Sequence, residues 1–419
     1  MLRPSLLSAY SKSECSSCRA CLQAQLSVTA KRQILRSFSK SARSSQVGTG
    51  GTNVDLSGEN VLCILPFSEP EEYTNELRES IPGLKLTWID QKVHPLNAWQ
   101  NDTPLPPGIF QDVTSLMTLR MLPKPEEAPR LRYVHVYSAG TEHLASTPWF
   151  AHPEVVMTSS SGCHGPQIAE WVFLTLLAQT HQFKTMLKWQ DESRWGYFAD
   201  HYGRATELRG QRMGILGYGS IGRHIAQAAQ GFGMDVIAFT GSEKRTPESR
   251  RDTTYFEPGS GDPDGLIPSA WYSGLDKASL HNFLEQDIDV LVVTVPATPQ
   301  TRKMLGDAEF RILAQKRQAF VSNIGRGEVI DQDALIRYLK NSPGSVEGSL
   351  RGAALDVTNP EPLPDNHELW QLPNVTITPH VSGAATGYIR RSVDILGINI
   401  GRLQRGETLL NVVNRGRGY

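Results

Sequence analysis

Short unbroken apolar runs recur along this chain, and their lengths mark them as strands buried on both faces rather than helices. Val61-Leu62-Cys63-Ile64-Leu65 is the first, and helical and strand signals then alternate through Leu84–Trp88, Val113–Leu119 and Tyr133–Val136. A long apolar helix reads over Ile168–Gln182. Beyond it the alternation resumes: a strand ending at Gly217, a helix from Arg223 to Gly231, and a strand over Met234–Phe239. Apolar stretches at Ala319–Val321 and Val375–Thr378 and a final helix from Gly387 complete the pattern. Strands alternating with helices predict an α/β protein with parallel sheets, and 419 residues suit two domains.

The strand-turn-helix around Gly217 carries the first chemistry. It reads Met213-Gly214-Ile215-Leu216-Gly217-Tyr218-Gly219-Ser220-Ile221-Gly222. In this context Gly217 permits the tight turn, Gly219 lets backbone approach a pyrophosphate, and Gly222 allows helix to pack on sheet. Phosphates then rest on the free N–H groups at the helix start. The following strand ends Phe239-Thr240-Gly241-Ser242-Glu243-Lys244-Arg245. An NAD site normally ends that strand in Asp or Glu; here Thr240 stands there, with the Ser242 hydroxyl and two cations, Lys244 and Arg245, close behind. A 2′-phosphate needs the carboxylate removed and cationic donors supplied. The expected cofactor is therefore NADP in preference to NAD, with NAD use left open.

A second set of residues lies downstream. His380 follows the strand Val375–Thr378 and emerges at a strand end, where α/β sites gather. Histidine titrates closest to neutrality and suits a general acid, and a neighbouring carboxylate favours its imidazolium. Glu361, in the proline-stiffened run Asn359-Pro360-Glu361-Pro362, is the candidate carboxylate. Arg326 stands between Gly325 and Gly327, and its planar fork suits a substrate carboxylate.

With these motifs in order, the chain from about residue 60 onward resembles the D-isomer-specific 2-hydroxyacid dehydrogenases, most closely their glyoxylate/hydroxypyruvate reductase branch. Leu216–Gly222, Asp289–Pro296 running on to Thr301, Asn323–Gly327, Ala354–Val357, Glu361–Leu363 and Thr378–His380 carry the resemblance. It implies two Rossmann-like, doubly wound parallel-sheet domains with an active-site cleft between them. A substrate domain would comprise 55–165 and 385–419, and a dinucleotide-binding domain 166–384. It implies Arg326, Glu361 and His380 as the catalytic trio and Ser138, Ala139, Gly140 and Thr141 as the loop that holds the substrate carboxylate. Cofactor contacts would come from Gly217, Gly219, Ser220, Ile221, Gly222, Thr240, Ser242, Lys244, Arg245, Pro296, Thr301, Ile324 and Asp356, the last on the nicotinamide carboxamide. The substrate would be a small 2-oxo or 2-hydroxy acid and the assembly a homodimer, with the helix near Trp171 a contact surface or simply core. Formate enzymes of this fold carry glutamine where Glu361 stands, and bulkier 2-oxo acids stay open. Departures from the pattern are insertions near 251–274 and 341–351, both expected as surface excursions, and Trp171 where relatives often carry histidine.

Composition adds three points. A net charge of −1 leaves no nucleic-acid footprint, and no apolar run reaches membrane-spanning length. From Met1 to about Ser45 eight basic residues face Glu14 alone among abundant serines. That reads as a mitochondrial transit peptide for the matrix over 1–50, a disordered cytosolic tail being the other reading. Cys15, Cys18 and Cys21 have no matching group nearby, so no metal is expected, and Cys163 beside His164 reads as an incidental thiol. The rival from another class is a catalytically weak dinucleotide-sensing protein, like the corepressors that share this fold.

Overall fold

The computed structural model describes residues 59–415 apart from 82, 92, 95–96, 102–103, 198–204 and 342–347. The expected leader and its three cysteines lie outside the described residues, as does most of the second insertion.

Two parallel sheets organise the fold. The first has the order β2-β1-β5-β6-β7, built from β1 (Asn60–Leu65), β2 (Lys85–Asp90), β5 (Ser115–Thr118), β6 (Tyr133–Val136) and β7 (Val156–Ser159). A small antiparallel pair, β3 (Val93–His94) with β4 (Asn97–Asn101), intervenes. The second sheet has seven strands in the order β10-β9-β8-β11-β12-β13-β14. These are β8 (Arg212–Leu216), β9 (Asp235–Thr240), β10 (Ala270–Ser273), β11 (Val290–Val293), β12 (Phe320–Asn323), β13 (Gly352–Leu355) and β14 (Val375–Ile377). Both orders reverse direction about a first strand, so each sheet has a topological switch point, the place where α/β folds bind ligands. Strand β7, four residues V-M-T-S, is absent from the sequence-based expectation because it has neither length nor an apolar run.

Eight helices are used below: α1 (Glu71–Ser80), α2 (Gly165–Thr180), α3 (Phe183–Asp191), α4 (Ser220–Gly231), α5 (Lys277–Leu284), α6 (Asp307–Lys316), α7 (Gln332–Lys340) and α8 (Thr386–Gln404). Ile168, Val172 and Leu176 of α2 share a core with Ile225 and Ala229 of α4 beneath the second sheet. The opposite face is covered by α5, α6 and α7 through Phe283, Phe310, Leu313 and Leu335. Helix α8 returns to the first sheet, where Val393, Leu396 and Ile400 pack with Val61, Met117 and Leu77 of α1. Trp171 is 8 % exposed and packs inside the chain; what this stretch presents to solvent is Leu174, Phe183 and Leu187.

The first insertion is not a surface excursion. Asp252 N–H donates to Pro263 O and closes a loop whose interior is filled by Arg223 of α4. Arg223 donates to the carbonyls of Arg250 and Asp262 and faces Asp252 at 3.5 Å. Asp262, 6 % exposed, accepts from Tyr218 Oη at 2.7 Å and from the N–H groups of Leu266 and Ile267. At its tip Tyr255 is buried with Cys163 and Ile395, and its N–H reaches Asn411 Oδ1. Glu257 pairs with Arg391 of α8 at 3.0 Å. Residues 270–273 then form edge strand β10, parallel to β9. Of the second insertion, Ser349 and Leu350 are buried, with Leu350 in the sheet's core, so that end is not a surface excursion either.

Candidate active site

The glycine turn sits at the end of β8, at the second sheet's switch point between β9 and β11. Gly217 has φ +105°, and a Cβ there would meet Thr294 Oγ1 at 2.5 Å. A Cβ on Gly222 would lie 2.6 Å from Gly217 O, whereas one on Gly219 would meet nothing within 4 Å. The first helical hydrogen bond of α4 is Arg223 N–H to Gly219 O, which leaves the N–H groups of Ser220, Ile221 and Gly222 without helical acceptors. Ser220 Oγ is buried with no partner. Open space over Gly219, free N–H donors and an orphaned hydroxyl fit a pyrophosphate.

At the end of β9, Thr240 Oγ1 donates to Ser242 O. Arg245 is drawn onto Glu243 at 2.5 Å, so part of the positive charge read from the sequence is neutralised within the loop. Lys244 has no carboxylate partner among the described residues, and its carbonyl accepts from Arg250 Nε at 3.0 Å. Thr301 Oγ1 donates to Pro296 O at 2.6 Å and ties down the loop after β11. Ile324 is buried in the core, with its N–H on Val293 O.

The expected trio divides into a joined pair and a neighbour. His380 Nδ1 lies 2.7 Å from Glu361 Oε1, with both side chains between two-fifths and half exposed. A carboxylate on Nδ1 fixes that nitrogen as the N–H and leaves Nε2 to exchange a proton. His380 has φ +55°, and its N–H donates to Asp356 O at 2.9 Å. Asp356 is engaged beneath this turn. Its Oδ1 accepts from Thr378 Oγ1 and Val381 N–H, its Oδ2 from Ser382 N–H and Oγ, and it is 2 % exposed. The sequence reading placed Asp356 on the nicotinamide; in this structure both its oxygens serve the turn that carries His380.

Arg326 reaches the loop from β6. Its Nη1 donates to its neighbour's carbonyl at Gly325, and Nη2 meets Glu142 Oε1 at 3.1 Å. A Cβ on Gly140 would lie 2.4 Å from Arg326 Nη2, so the Ser138–Thr141 loop and the arginine converge. Ser138 Oγ donates to Gly140 O, and the N–H groups of Ala139 and Gly140 have no acceptor among the described residues. Thr141 Oγ1 is buried and partnerless.

Three residues that sequence reasoning gave no role in the site stand here: Glu142, His164 and Tyr388. His164 begins α2 with its ring 4.1 Å from that of Tyr388 on α8, and a Cβ on Gly383 would touch it. Burial, then the charges of Arg391, Arg326 and His380, push its pKa down to about 4, so it stays neutral at neutral pH. Tyr388 Oη donates to Tyr137 O. Cys163 is fully buried and its thiol is held protonated by burial. Among the described residues no cluster of three or more His, Cys, Asp or Glu could hold a metal, and no helix is long and apolar enough to cross a membrane.

Residues 173–259 and 266–382 match the sequence model of the D-isomer specific 2-hydroxyacid dehydrogenase NAD binding domain. A protein named glyoxylate reductase from Korarchaeum cryptofilum is 27 % identical over 353 residues, covering 80 % of this chain and 94 % of its own. The crystal structure of a D-isomer specific 2-hydroxyacid dehydrogenase from Xanthobacter autotrophicus, in complex with NADPH and MES, superposes with a TM-score of 0.63 at 25 % identity. That match covers 86 % of this chain and 100 % of the other. An NADPH-dependent glyoxylate/hydroxypyruvate reductase from Sinorhizobium meliloti, solved with NADP and sulfate, gives 0.62 at 24 % identity over the same shares and supports the fold. Matched by that family across its nucleotide-binding half and by its folds across both sheets, the chain belongs to the D-isomer specific 2-hydroxyacid dehydrogenases, NAD(P)-dependent oxidoreductases.

Proposed function

We propose that this chain reduces small 2-oxo acids of the glyoxylate and hydroxypyruvate type to D-2-hydroxy acids, with NADPH preferred. The observation that carries the reading is the 2.7 Å His380–Glu361 pair, with His380 and Arg326 both close enough to His164 to act on its charge and the free N–H groups of Ala139 and Gly140 on the loop that meets Arg326. Gly217, Gly219, Ser220, Ile221 and Gly222 would hold the pyrophosphate, and Thr240, Ser242 and Lys244 the adenosine ribose with its 2′-phosphate. Contacts from Pro296, Thr301, Ile324 and Asp356 belong to the same proposal, Asp356 acting through the turn it holds. When bound, the reduced nicotinamide supplies a hydride to the 2-carbon.

The residues of the chain do the rest. Arg326 and the 139–140 amides bind the substrate carboxylate and orient the carbonyl. His380 delivers a proton from Nε2 to the developing alkoxide, while Glu361 on Nδ1 stabilises the charged imidazole and holds its orientation. Homologous reductases and the absence of a carboxylate at Thr240 support the substrate class and the cofactor choice. Exposed Leu174, Phe183 and Leu187 support a homodimer through the second lobe, and the basic N-terminal composition a mitochondrial address.

Loss of nicotinamide absorbance with glyoxylate, hydroxypyruvate and a bulkier 2-oxo acid, using NADPH and NADH in parallel, tests the reading. Turnover fastest with NADPH and the two small acids is expected, and His380→Ala should lower kcat by about 10²-fold or more. Cofactor binding without turnover on any acid would instead mark a dinucleotide sensor, and an unchanged kcat in the alanine variant would remove His380 from the chemistry.

A further inference from the structure

Glu142 opens the turn Glu142–Leu144, directly after the Ser138–Thr141 loop of the five-stranded lobe. Arg326 belongs to the seven-stranded lobe, and the 3.1 Å contact between them crosses the cleft. The two side chains are 37 % and 35 % exposed, so solvent and ligands can reach both. The Cβ that Gly140 lacks would fall 2.4 Å from Arg326 Nη2 and 2.4 Å from Glu142 Oε2. Loop backbone, guanidinium and carboxylate therefore meet at one point, and only a glycine leaves room for them.

That point is where the reductase reading docks the substrate's own carboxylate. Nη1 of the arginine donates to Gly325 O and Nη2 to Glu142, so a ligand carboxylate that forks onto Nη2 meets Glu142 there. A protein carboxylate and a 2-oxo acid carboxylate offer the same two oxygens to the same fork. Two carboxylates that share Nη2 are brought close enough for their like charges to repel.

We propose that Glu142 is an internal competitor of the substrate carboxylate for Arg326. With the cleft empty it holds the guanidinium in place across the lobes, and it releases the arginine when a 2-oxo acid binds. The identity of the ligand rests on the reductase reading; the competition itself is a property of the two side chains. A partly exposed ion pair is screened, which limits the effect to about 3- to 5-fold in affinity.

The test is calorimetric titration of oxamate, a non-reacting carboxylate isostere of a small 2-oxo acid, into protein saturated with oxidised NADP. Glu142→Gln removes the charge and keeps the shape; Glu142→Asp keeps the charge on a shorter stem. Oxamate should bind the glutamine variant about 3- to 5-fold more tightly than the native protein, with an intermediate gain for aspartate, and the difference should shrink as salt rises. KM for glyoxylate should fall in parallel. Equal or weaker oxamate binding in the glutamine variant, with its thermal melt intact, overturns the proposal and makes Glu142 a support for Arg326 instead. Failure of the native protein to turn over any 2-oxo acid would sink the substrate reading, while the oxamate ratio would still decide the competition. Binding that appears only in the variant supports it, and binding in neither overturns it.

Discussion

Replacing Asp356 by asparagine exchanges one acceptor oxygen for an NH2 group at a carboxylate that receives four hydrogen bonds and is 2 % exposed. The hydroxyls of Thr378 and Ser382 can rotate from donating to accepting. The N–H groups of Val381 and Ser382 cannot, and they sit on different oxygens. Either orientation of the amide therefore leaves one N–H, the buried one of Ser382 or the partly buried one of Val381, facing another donor, at about 1–3 kcal/mol, while the surviving backbone bond falls from charge-assisted to neutral. A total of about 3 kcal/mol lowers the melting temperature by roughly 4 °C in a chain of this size. The turn so loosened carries His380, so kcat should fall as well. Calorimetry on protein free of cofactor, with kcat and the KM for NADPH measured beside it, separates two roles. A part confined to the nicotinamide would leave the cofactor-free melt unchanged and raise only that KM. That outcome would refute the assignment of Asp356 as support of the turn that carries His380.

Acid should weaken the fold through two buried histidines. Burial pushes His135 down to about 3 and His164 down to about 4, from an unfolded value near 6.5. As pH falls below about 6.5 the unfolded chain takes protons that the folded chain refuses, so stability drops by up to about 1.4 kcal/mol per pH unit for each group. Denaturant unfolding at pH 7, 6 and 5 should show His135→Gln with a shallower slope by about one proton; equal slopes would contradict the burial argument. Gly222→Ala places a Cβ 2.6 Å from Gly217 O and 3.0 Å from Ile215 Cγ2. Helix α4 must then lift from β8, and fluorescence titration should show NADPH binding weakened by about tenfold or more, since about 1.4 kcal/mol of lost phosphate contact suffices. Unaltered affinity would mean the turn tolerates the shift.

What the sequence made legible was local. The glycine turn, its strand and its helix are contiguous, and each glycine answers a steric demand that can be read without a partner: the positive φ of Gly217 and the 2.6 Å approach at Gly222 are two such demands. His380 and Glu361 lie 19 residues apart in chain order, each beside a proline, and meet at 2.7 Å. Glu142 stood next to a loop already singled out, but its meaning comes from Arg326, 184 residues on. His164 was noticed for its neighbouring cysteine, while what gives it a place is Tyr388 on the last helix.

The first insertion shows why composition misleads. Glycine, proline and aspartate in residues 251–274 are what a solvated loop would carry, and Asp262 alone gives no reason to be buried. Its reason is the fingerprint itself. The turn and helix that would cradle phosphates also carry Tyr218 and Arg223, and both point away from the open face over Gly219 into the insertion. A buried arginine needs several acceptors, and the loop supplies two carbonyls and the Asp252 carboxylate. From there Tyr255 and Glu257 extend the same chain of contacts to Asn411 and Arg391, which belong with the first sheet. Residues that look variable inside a nucleotide fingerprint thus anchor a segment that joins the two lobes, and such a joint follows from contacts between distant positions, which periodicity cannot reveal.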